Sequence, residues 1–283
     1  MQTNLFSGRT MILASMHRKE EAMADLLEKH LNVKVKVVEN LNTDIFGTFS
    51  GEIERKDTPL ETLKQKILKG MELSGADLGI GSEGSFVPHP SFPWVNADIE
   101  SVMLIDQKND ILLEATEIAT ETNFDRKKVE KWHDVETFAR KAYFPSHALI
   151  LKVENKDGKI LAVEKGIQDE KKLREVFEDF SKKGILIVET DMRAMYNPMR
   201  MEVIRKATQK LLDKVLSTCP QCGWIGFVVS EVEEGLPCEW CSQPTSLPLK
   251  EIKRCVKCGF QEEKWFPQAT MFASPSYCLY CNP

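Results

Sequence analysis

Cysteine is missing from the first 218 residues of this 283-residue chain, and all eight cysteines lie between Cys219 and Cys281. No apolar run approaches the roughly 18 residues of a membrane-spanning helix, and the first residues lack the apolar core of a signal peptide. Positive charge is not in excess either, since 38 Lys and Arg stand against 43 Asp and Glu. The sequence therefore predicts a cytoplasmic protein without a membrane segment, and its charge does not favour a nucleic-acid partner.

The cysteine distribution also predicts the domain organisation. At about 150 residues per domain, the length indicates about two domains. We expect an α/β domain over residues 1–216 and a small Cys-rich module over 217–283, because proline and glycine become frequent and apolar runs shorten there. A division of the first domain into two lobes near 125–146 stays open as an alternative.

The first 216 residues alternate short apolar runs with helical periodicity. The chain opens with a β-α-β pattern, which indicates parallel strands. It consists of a buried strand at 11–15, a helix up to Leu31 and an alternating strand at 33–38. A second helix should begin at Pro59, with Asp57 or Thr58 as its N-cap, and end at Gly75. Later segments predict a hairpin, a helix and a strand, and then a long helix opened by Asn197 and Pro198. The predicted fold is α/β: a mixed, mainly parallel sheet flanked by helices, followed by a small zinc-ribbon-like module.

The cysteines form four pairs with the same internal spacing, which are Cys219/Cys222, Cys238/Cys241, Cys255/Cys258 and Cys278/Cys281. Two such pairs supply four thiolates for one tetrahedral Zn²⁺ site. The sequence therefore predicts two structural zinc ions, each with four protein ligands and no open position for catalysis. Disulfides are the alternative, and the cytoplasmic character of the chain counts against them.

Which pair joins which is less defined. Sequential pairing closes the shorter loops and is favoured on that ground, whereas interleaved pairing would join the first pair with the third and the second with the fourth. From residue 217 onward, seven acidic residues exceed five basic ones. This balance favours a structural or protein-contacting module over one that binds nucleic acid, although Trp240, Trp265 and Phe266 could stack on bases if they are not the module's core.

The first candidate for chemistry is the turn after the first strand. Ser15, His17, Arg18 and Lys19 open a helix there, and helix-start amides together with cations favour phosphate. The turn lacks the glycines of a P-loop or of a dinucleotide-binding loop. The alternative is a solvated basic helix start.

The second candidate is the segment 46–70, in which acidic and basic side chains precede or begin a helix. Its acidic residues and its cations could together hold Mg²⁺ and the phosphates that the ion bridges. The residues are Glu52, Glu54, Arg55, Glu61, Lys64, Lys66 and Lys69. An amphipathic surface helix with ordinary charge pairs is the alternative.

The third candidate is the segment 75–101, where a buried strand is expected to break into a Gly-Ser-Pro loop. Glu83 lies at this break beside Ser82 and Ser85, and His89 follows between two prolines. A carboxylate at the carboxyl end of a strand is well placed to hold a ligand or a metal. Glu100 and Asp106 on the next strand are secondary candidates.

A last group of polar residues lies where a strand meets the long helix. It consists of Glu189, Asp191, Arg193, Asn197 and Arg200. This edge of an open α/β sheet commonly binds ligands. An Asp–Arg ion pair plus an Asn helix cap is the alternative reading.

Residues 10–107, with ILAS-x-H-R-K, FGTFSGE and GADLGIGSEGSF in order, resemble the inosine/xanthosine triphosphate pyrophosphatase superfamily. Ser15 matches the hydroxyl of that superfamily's phosphate-binding loop and Glu83 its acidic position. His17 stands where the superfamily has asparagine, and Lys19 lies one position before its lysine. The whole layout also resembles an uncharacterised bacterial protein family with a C-terminal zinc-ribbon-like tail, which implies no activity.

These observations support two hypotheses. The first is a Mg²⁺-dependent hydrolase of a nucleoside triphosphate or related phosphate ester, with Glu83 and either Glu52 or Glu61 on the metal and with cations such as Lys19 and Arg18 on the phosphates. The second is a non-catalytic zinc-containing sensor of a nucleotide, a protein or nucleic acid. A protein partner for the zinc module and a homo-oligomer stay open.

Overall fold

The computed structural model describes residues 5–39, 41 and 58–283. Contacts within the chain divide it into two compact units. The larger unit comprises Phe6–Leu211, and the smaller contains Leu212–Pro283. No described helix is long and apolar enough to cross a membrane.

The larger unit begins with a five-stranded sheet and two helices. The elements in chain order are β1 (Thr10–Ala14), α1 (Glu20–Leu31), β2 (Lys34–Val37), α2 (Pro59–Ser74), β3 (Leu78–His89), β4 (Phe92–Asp106) and β5 (Ile111–Ala119). The strand order is β2-β1-β3-β4-β5. Thr58 caps α2 by accepting from the Glu61 amide, and Gly75 ends it in a left-handed conformation, as expected.

This sheet is only partly parallel, so the prediction of a mainly parallel sheet is wrong. Strands β1, β2 and β3 run in one direction, whereas β4 pairs antiparallel with both β3 and β5. The reason lies in the connections. A helix crosses over between the parallel strands, but only a short turn joins β3 to β4 and β4 to β5, and a short turn can join only antiparallel strands.

The Gly-Ser-Pro loop predicted after Gly81 is a continuous strand instead. The glycines of β3 allow side chains to approach the backbone closely rather than break the strand. A Cβ atom added to Gly79 would lie 2.8 Å from the side chains of Ile67 and Met71 on α2. One added to Gly84 would lie 2.3 Å from a Glu100 carboxylate oxygen.

A second sheet of four antiparallel strands completes the larger unit. Its elements are β6 (Arg126–Val129), α3 (Trp132–Lys141), β7 (Leu149–Glu154), β8 (Ile160–Ile167), α4 (Glu170–Phe180) and β9 (Ile185–Thr190), in strand order β6-β9-β7-β8. The hairpin expected from β7 and β8 is confirmed. Helix α5 (Pro198–Leu216) follows β9.

The smaller unit contains a three-stranded antiparallel sheet of β10 (Val229–Glu234), β11 (Pro248–Arg254) and β12 (Gln261–Trp265). Its apolar core is small. Cys219, Phe227 and Cys255 are buried together, and Trp224 and Phe260 pack against them. So limited a core needs metal or disulfides to be stable.

Candidate functional site

The eight cysteines form two separate groups of four thiols. One group is Cys219, Cys222, Cys255 and Cys258, and the other is Cys238, Cys241, Cys278 and Cys281. Within each group the sulfur atoms lie within 4.8 Å of one another, and no cysteine forms a disulfide. A tetrahedral zinc site with Zn–S bonds of about 2.3 Å has sulfur–sulfur edges of about 3.8 Å. The observed separations of 3.7 Å for Cys219–Cys258 and 3.6 Å for Cys241–Cys278 fit that geometry.

This pairing is interleaved, so the favoured sequential pairing is wrong. The small sheet gives the physical reason, because one strand lies between each cysteine pair and the next. Neighbouring strands run in opposite directions, so successive pairs fall at alternate ends of the sheet. The first and third pairs therefore meet at one end, and the second and fourth at the other.

The turn after β1 lies beside the end of β3 in the larger unit. Ala14 is in register with Gly81 in the parallel β1–β3 pair, so Ser15 and Ser82 follow at the same edge of the sheet. The buried Lys19 ammonium donates to the Ser82 carbonyl oxygen at 2.7 Å. The two segments that the sequence singled out separately are thus in direct contact.

Glu83 and Lys66, both named from the sequence, form a buried ion pair. The Lys66 Nζ atom on α2 lies 2.8 Å from Glu83 Oε2, and the two side chains are 9% and 4% exposed. Consecutive residues of a strand face opposite sides of the sheet. Glu83 therefore faces α2, while Gly84 faces the other side.

On that other side, β4 and α5 form a second buried ion pair. Arg200 Nε donates to Glu100 Oε1 at 2.6 Å, and both side chains are fully buried. Glu100 lies opposite Gly84 and Asp98 lies opposite Phe86 across the β3–β4 pair. Asp98 and Glu100 therefore share one face of β4, and the lack of a side chain at Gly84 leaves room for the Glu100–Arg200 pair.

Burial shifts two pKa values in this cluster in opposite directions. Desolvation, with nearby Glu100 as a second cause, raises the pKa of Asp98 to about 8. Desolvation, with Arg200 as a second cause, lowers the pKa of Lys19 to about 8. Lys19 and Asp98 are thus strongly shifted, and such groups are concentrated at functional sites. These two residues and the two buried ion pairs are hereafter called the buried charged cluster, which consists of Lys19, Lys66, Glu83, Asp98, Glu100 and Arg200.

Several polar atoms in this cluster and at the adjoining Ser82 have unused hydrogen-bonding capacity. Ser82 Oγ, Asp98 Oδ1 and Glu100 Oε2 are buried without a hydrogen-bond partner in the described part of the chain. Within that same part, no carboxylate lies within 4.0 Å of the Lys19 ammonium. Glu100 and Glu83 lie near enough to favour the charged form of Lys19, but within the described residues its ammonium contacts only the Ser82 carbonyl oxygen. Its other N–H groups are therefore available, and this edge of the sheet is suited to an anion.

The other sequence-named residues of the first turn differ in position. The His17 amide donates to Ser15 Oγ at 3.3 Å. Arg18 has a left-handed φ of 54°, and its exposed guanidinium pairs with Glu21 in the first turn of α1. Arg18 therefore lies at the rim of the cluster rather than in it.

The remaining candidates from the second and third segments are not brought into the cluster. Glu61 is exposed and accepts from Gln65. His89 Nδ1 accepts from the Ser91 and Phe92 amides, so it stabilises the β3–β4 turn, while Ser85 is half-buried on β3. Glu52, Glu54 and Arg55 lie outside the described residues.

Most of the polar group at 189–200 stabilises local structure. Asp191 pairs with Arg193 at 2.6 Å, and Asn197 caps α5 by accepting from the Arg200 amide. Asp106, a secondary candidate, is held by Arg9 at 2.6 Å. Only Arg200 joins the buried charged cluster.

Sequence reasoning missed Asp98 and did not connect Glu100 with Arg200. The available signal was the two-residue spacing of Asp98 and Glu100, which puts two carboxyl groups on one face of a strand. Arg200 lies a hundred positions after Glu100, and no local feature of the sequence indicates that the two side chains pair.

An open cleft of about 790 Å³ lies on the same face of β4, within the larger unit. Three consecutive residues of β4, Trp94 to Asn96, line it together with residues 120–125, residues at the end of α3 and Met199. Asn96 alternates with Asp98 and Glu100 along the regularly paired part of β4, so this lining residue shares a face with the two buried acids. The volume of the cleft is in the range of small-molecule sites.

Replacing Asp98 with asparagine tests the buried carboxyl group. A folded pKa of about 8 against an ordinary 3.8 means that its contribution to stability is complete below about pH 4 and is lost as the pH rises through 8. Between pH 5 and 7.5, we expect the free energy of unfolding to fall by at least about 1 kcal/mol more in the wild type than in Asp98→Asn. Urea unfolding at several pH values measures this difference.

The titration of Lys19 falls outside this pH range. Its lowered pKa has the opposite effect, because it raises the free energy of unfolding as the pH increases from about 8 to 10.5. Asp179→Asn, at an exposed position of α4, is the control and should keep the wild-type slope. Equal slopes for the wild type and Asp98→Asn would contradict the assignment.

Comparison with known proteins gives one family. A family model described as Domain of unknown function (DUF6671) matches residues 66–283, which is more than half of the chain. The match includes both four-thiol groups and most of the buried charged cluster, but the Ser15–Lys19 turn precedes it. No curated protein matches the chain, so no comparison supports the resemblance to pyrophosphatases.

Proposed function

The chain belongs to the DUF6671 family, and we propose that it is a zinc-containing protein that binds a phosphate-bearing ligand. The binding position is the edge of the sheet where β1 and β3 end, beside Lys19 and Ser82. The environment of Lys19 is the main support for this proposal. Its ammonium is buried, and no carboxylate lies within 4.0 Å of it among the described residues.

Three donors are available at this edge. The Lys19 ammonium uses one of its three N–H groups on the Ser82 carbonyl oxygen. The Ser82 hydroxyl is buried without a partner in the described part of the chain. The N-terminus of α1, which is 12 residues long, adds the positive end of its dipole. Together these groups match an anion with several acceptor oxygens, such as a phosphate.

Zinc is the metal that we propose for both four-thiol groups. Four thiolates in a tetrahedron suit Zn²⁺, and four protein ligands leave no position for water or substrate. The metals would therefore stabilise the smaller unit rather than take part in a reaction. Its small core of Cys219, Phe227 and Cys255 gives such metals a clear structural role.

Hydrolysis of the bound phosphate compound is the second candidate. The observation that favours it is the pair of opposite pKa shifts on Asp98 and Lys19, since catalytic sites often hold titratable groups whose pKa values are shifted toward neutrality. The described residues do not favour magnesium, because Glu83 pairs with Lys66 and Glu100 with Arg200 on the opposite face. Within them, the only groups of three or more metal-ligating side chains are the cysteine groups.

Lys19→Met tests the proposed anion site. With inorganic triphosphate and ATP as probes, we expect calorimetry to show binding to the wild type and at least a tenfold weaker affinity for Lys19→Met. A hydrogen bond to a charged group contributes about 1.5–3 kcal/mol, which corresponds to a tenfold change or more. Lys29→Met, at the exposed last turn of the same helix, should bind like the wild type.

Equal affinities for the wild type and Lys19→Met, or no binding of either probe, would overturn the proposal. Assaying the same mixtures for released phosphate and pyrophosphate, with and without Mg²⁺, separates hydrolysis from binding alone.

A further inference from the structure

The second four-thiol group is surrounded by large apolar side chains that are open to solvent. Trp240 is 76% exposed, Leu279 81% and Tyr280 70%. Trp240 directly precedes the ligand Cys241, and Leu279 directly follows Cys278. The four thiols of these two turns lie within 4.8 Å of one another, so all three exposed side chains lie in the turns around the same proposed metal position.

The position of these residues explains their exposure. In a Cys-x-x-Cys turn the two sulfurs face the metal, and the two residues between them face outward. The first four-thiol group has the same turns but different residues at their tips. Val256 is its only large aliphatic tip residue, and the neighbouring Lys257 lies over the Trp224 ring at 3.8 Å. The apolar surface is therefore specific to the second group.

Other side chains of the chain's last segment lie beside these turns, because the Glu239 amide donates to the Ala273 carbonyl and the Ala273 amide to the Pro237 carbonyl. Each is more than half exposed, and they are Met271, Phe272 and Tyr277. Contiguous exposed apolar side chains commonly mark interaction sites, and tryptophan and tyrosine contribute most to the energy of protein interfaces. We name Trp240, Met271, Phe272, Tyr277, Leu279 and Tyr280 the apolar knuckle surface.

The charge around this surface limits what can cover it. Glu239 is the only charged side chain in 235–249 and 266–283. Four thiolates around one Zn²⁺ add about two further negative charges. A second copy of the chain would bring the same negative charge to this surface, and nucleic-acid phosphates would also be repelled.

We propose that the apolar knuckle surface binds a polypeptide segment that carries an aromatic or aliphatic anchor flanked by lysine or arginine. The anchor would cover Trp240 and Leu279, while the basic residues would face Glu239 and the thiolate-bound metal. This inference rests on the zinc occupancy proposed above. Metal analysis of each preparation measures that occupancy separately from peptide binding, so the two proposals can fail independently.

A displayed library of random 12-residue peptides, selected on the zinc-loaded full chain, tests this proposal. We expect enrichment of peptides that combine an apolar anchor with basic residues. The affinity of an enriched peptide, measured by fluorescence anisotropy, should fall at least tenfold in Trp240→Ser and in Leu279→Ser. Both variants should keep two zinc ions, because the altered side chains are exposed and bind no metal.

Val256→Ser is the matched control, since Val256 is 84% exposed at the tip of the other four-thiol group. This variant should change the affinity for the peptide less than twofold. The proposal is overturned if no peptide is enriched, if the enriched peptides are acidic, or if Trp240→Ser binds like the wild type. Tight binding of a single-stranded oligonucleotide through Trp240 would replace it with a nucleic-acid interface.

Discussion

Cys222→Ser combined with Cys255→Ser should leave one zinc per chain, whereas Cys222→Ser combined with Cys238→Ser should leave none. The first combination removes two ligands of the same four-thiol group, and the second removes one ligand from each group. Sequential pairing predicts the reverse result for the two double variants. Metal analysis of the purified proteins therefore tests both the occupancy and the interleaved pairing.

The effect on stability should be large. Structural zinc contributes about 10–16 kcal/mol of apparent binding free energy in isolated zinc-finger peptides, more than the whole stability of most domains. We expect chelation to unfold the smaller unit while Phe6–Leu211 keeps its helices and sheets, as seen by circular dichroism and limited proteolysis. Purified protein without zinc, or with disulfides detected by mass spectrometry, would contradict the assignment.

Arg200→Met should destabilise the larger unit by about 3–5 kcal/mol, because it leaves the Glu100 carboxylate buried without its cation. Arg205→Met is the matched control on the same helix. Arg205 also binds a carboxylate through two bonds, but its partner Asp25 is 61% exposed, so this variant should lose no more than about 1 kcal/mol. Urea unfolding of the three proteins measures the difference.

A double variant distinguishes the buried charge from the packing of the arginine. Adding Glu100→Leu to Arg200→Met removes the unpaired carboxylate, and replacing both partners of a buried ion pair by apolar residues is often neutral. We therefore expect the double variant to recover much of the lost stability. If it is as unstable as Arg200→Met, the volume of the arginine rather than its charge stabilises this position.

Local sequence signals predicted many of the individual elements. The β-α-β opening, the Thr58 cap and the β7–β8 hairpin are confirmed. Each depends on residues close in the chain: a period of alternation, a capping hydroxyl or a Lys-Asp-Gly turn. The four cysteine pairs were equally local, and their spacing was sufficient to indicate two metal sites.

The predictions that were wrong depended on contacts between residues far apart in the chain. Gly81 and Gly84, each followed by serine, indicated a loop by composition. In the structure, side chains of α2 lie close to the bare backbone at Gly81, and Glu100 and Arg200 lie close to it at Gly84. The cysteine pairing depended on which end of the small sheet each pair reaches, whereas loop length was the criterion used. Counting one strand between each two pairs would have given the observed arrangement.

The candidate site shows the same limit. Lys19, Lys66, Ser82 and Glu83 were all named from the sequence, because each lies near the end of a strand or on the adjoining helix. Their contacts could not be derived, since the Lys19–Ser82 hydrogen bond joins residues 63 positions apart.

The alternating order of strands and cysteine pairs has a consequence for how the smaller unit takes up metal. The loop closed by the first ion runs from Cys219 to Cys258, and that closed by the second from Cys238 to Cys281, so the loops overlap over 238–258. Whichever ion arrives first shortens the free chain that the other must close. Halving a loop lowers its closure cost by only about 0.6 kcal/mol, so uptake should be weakly cooperative. The coupling is far smaller than the affinity of either site, and a chain with one damaged centre still retains its other ion.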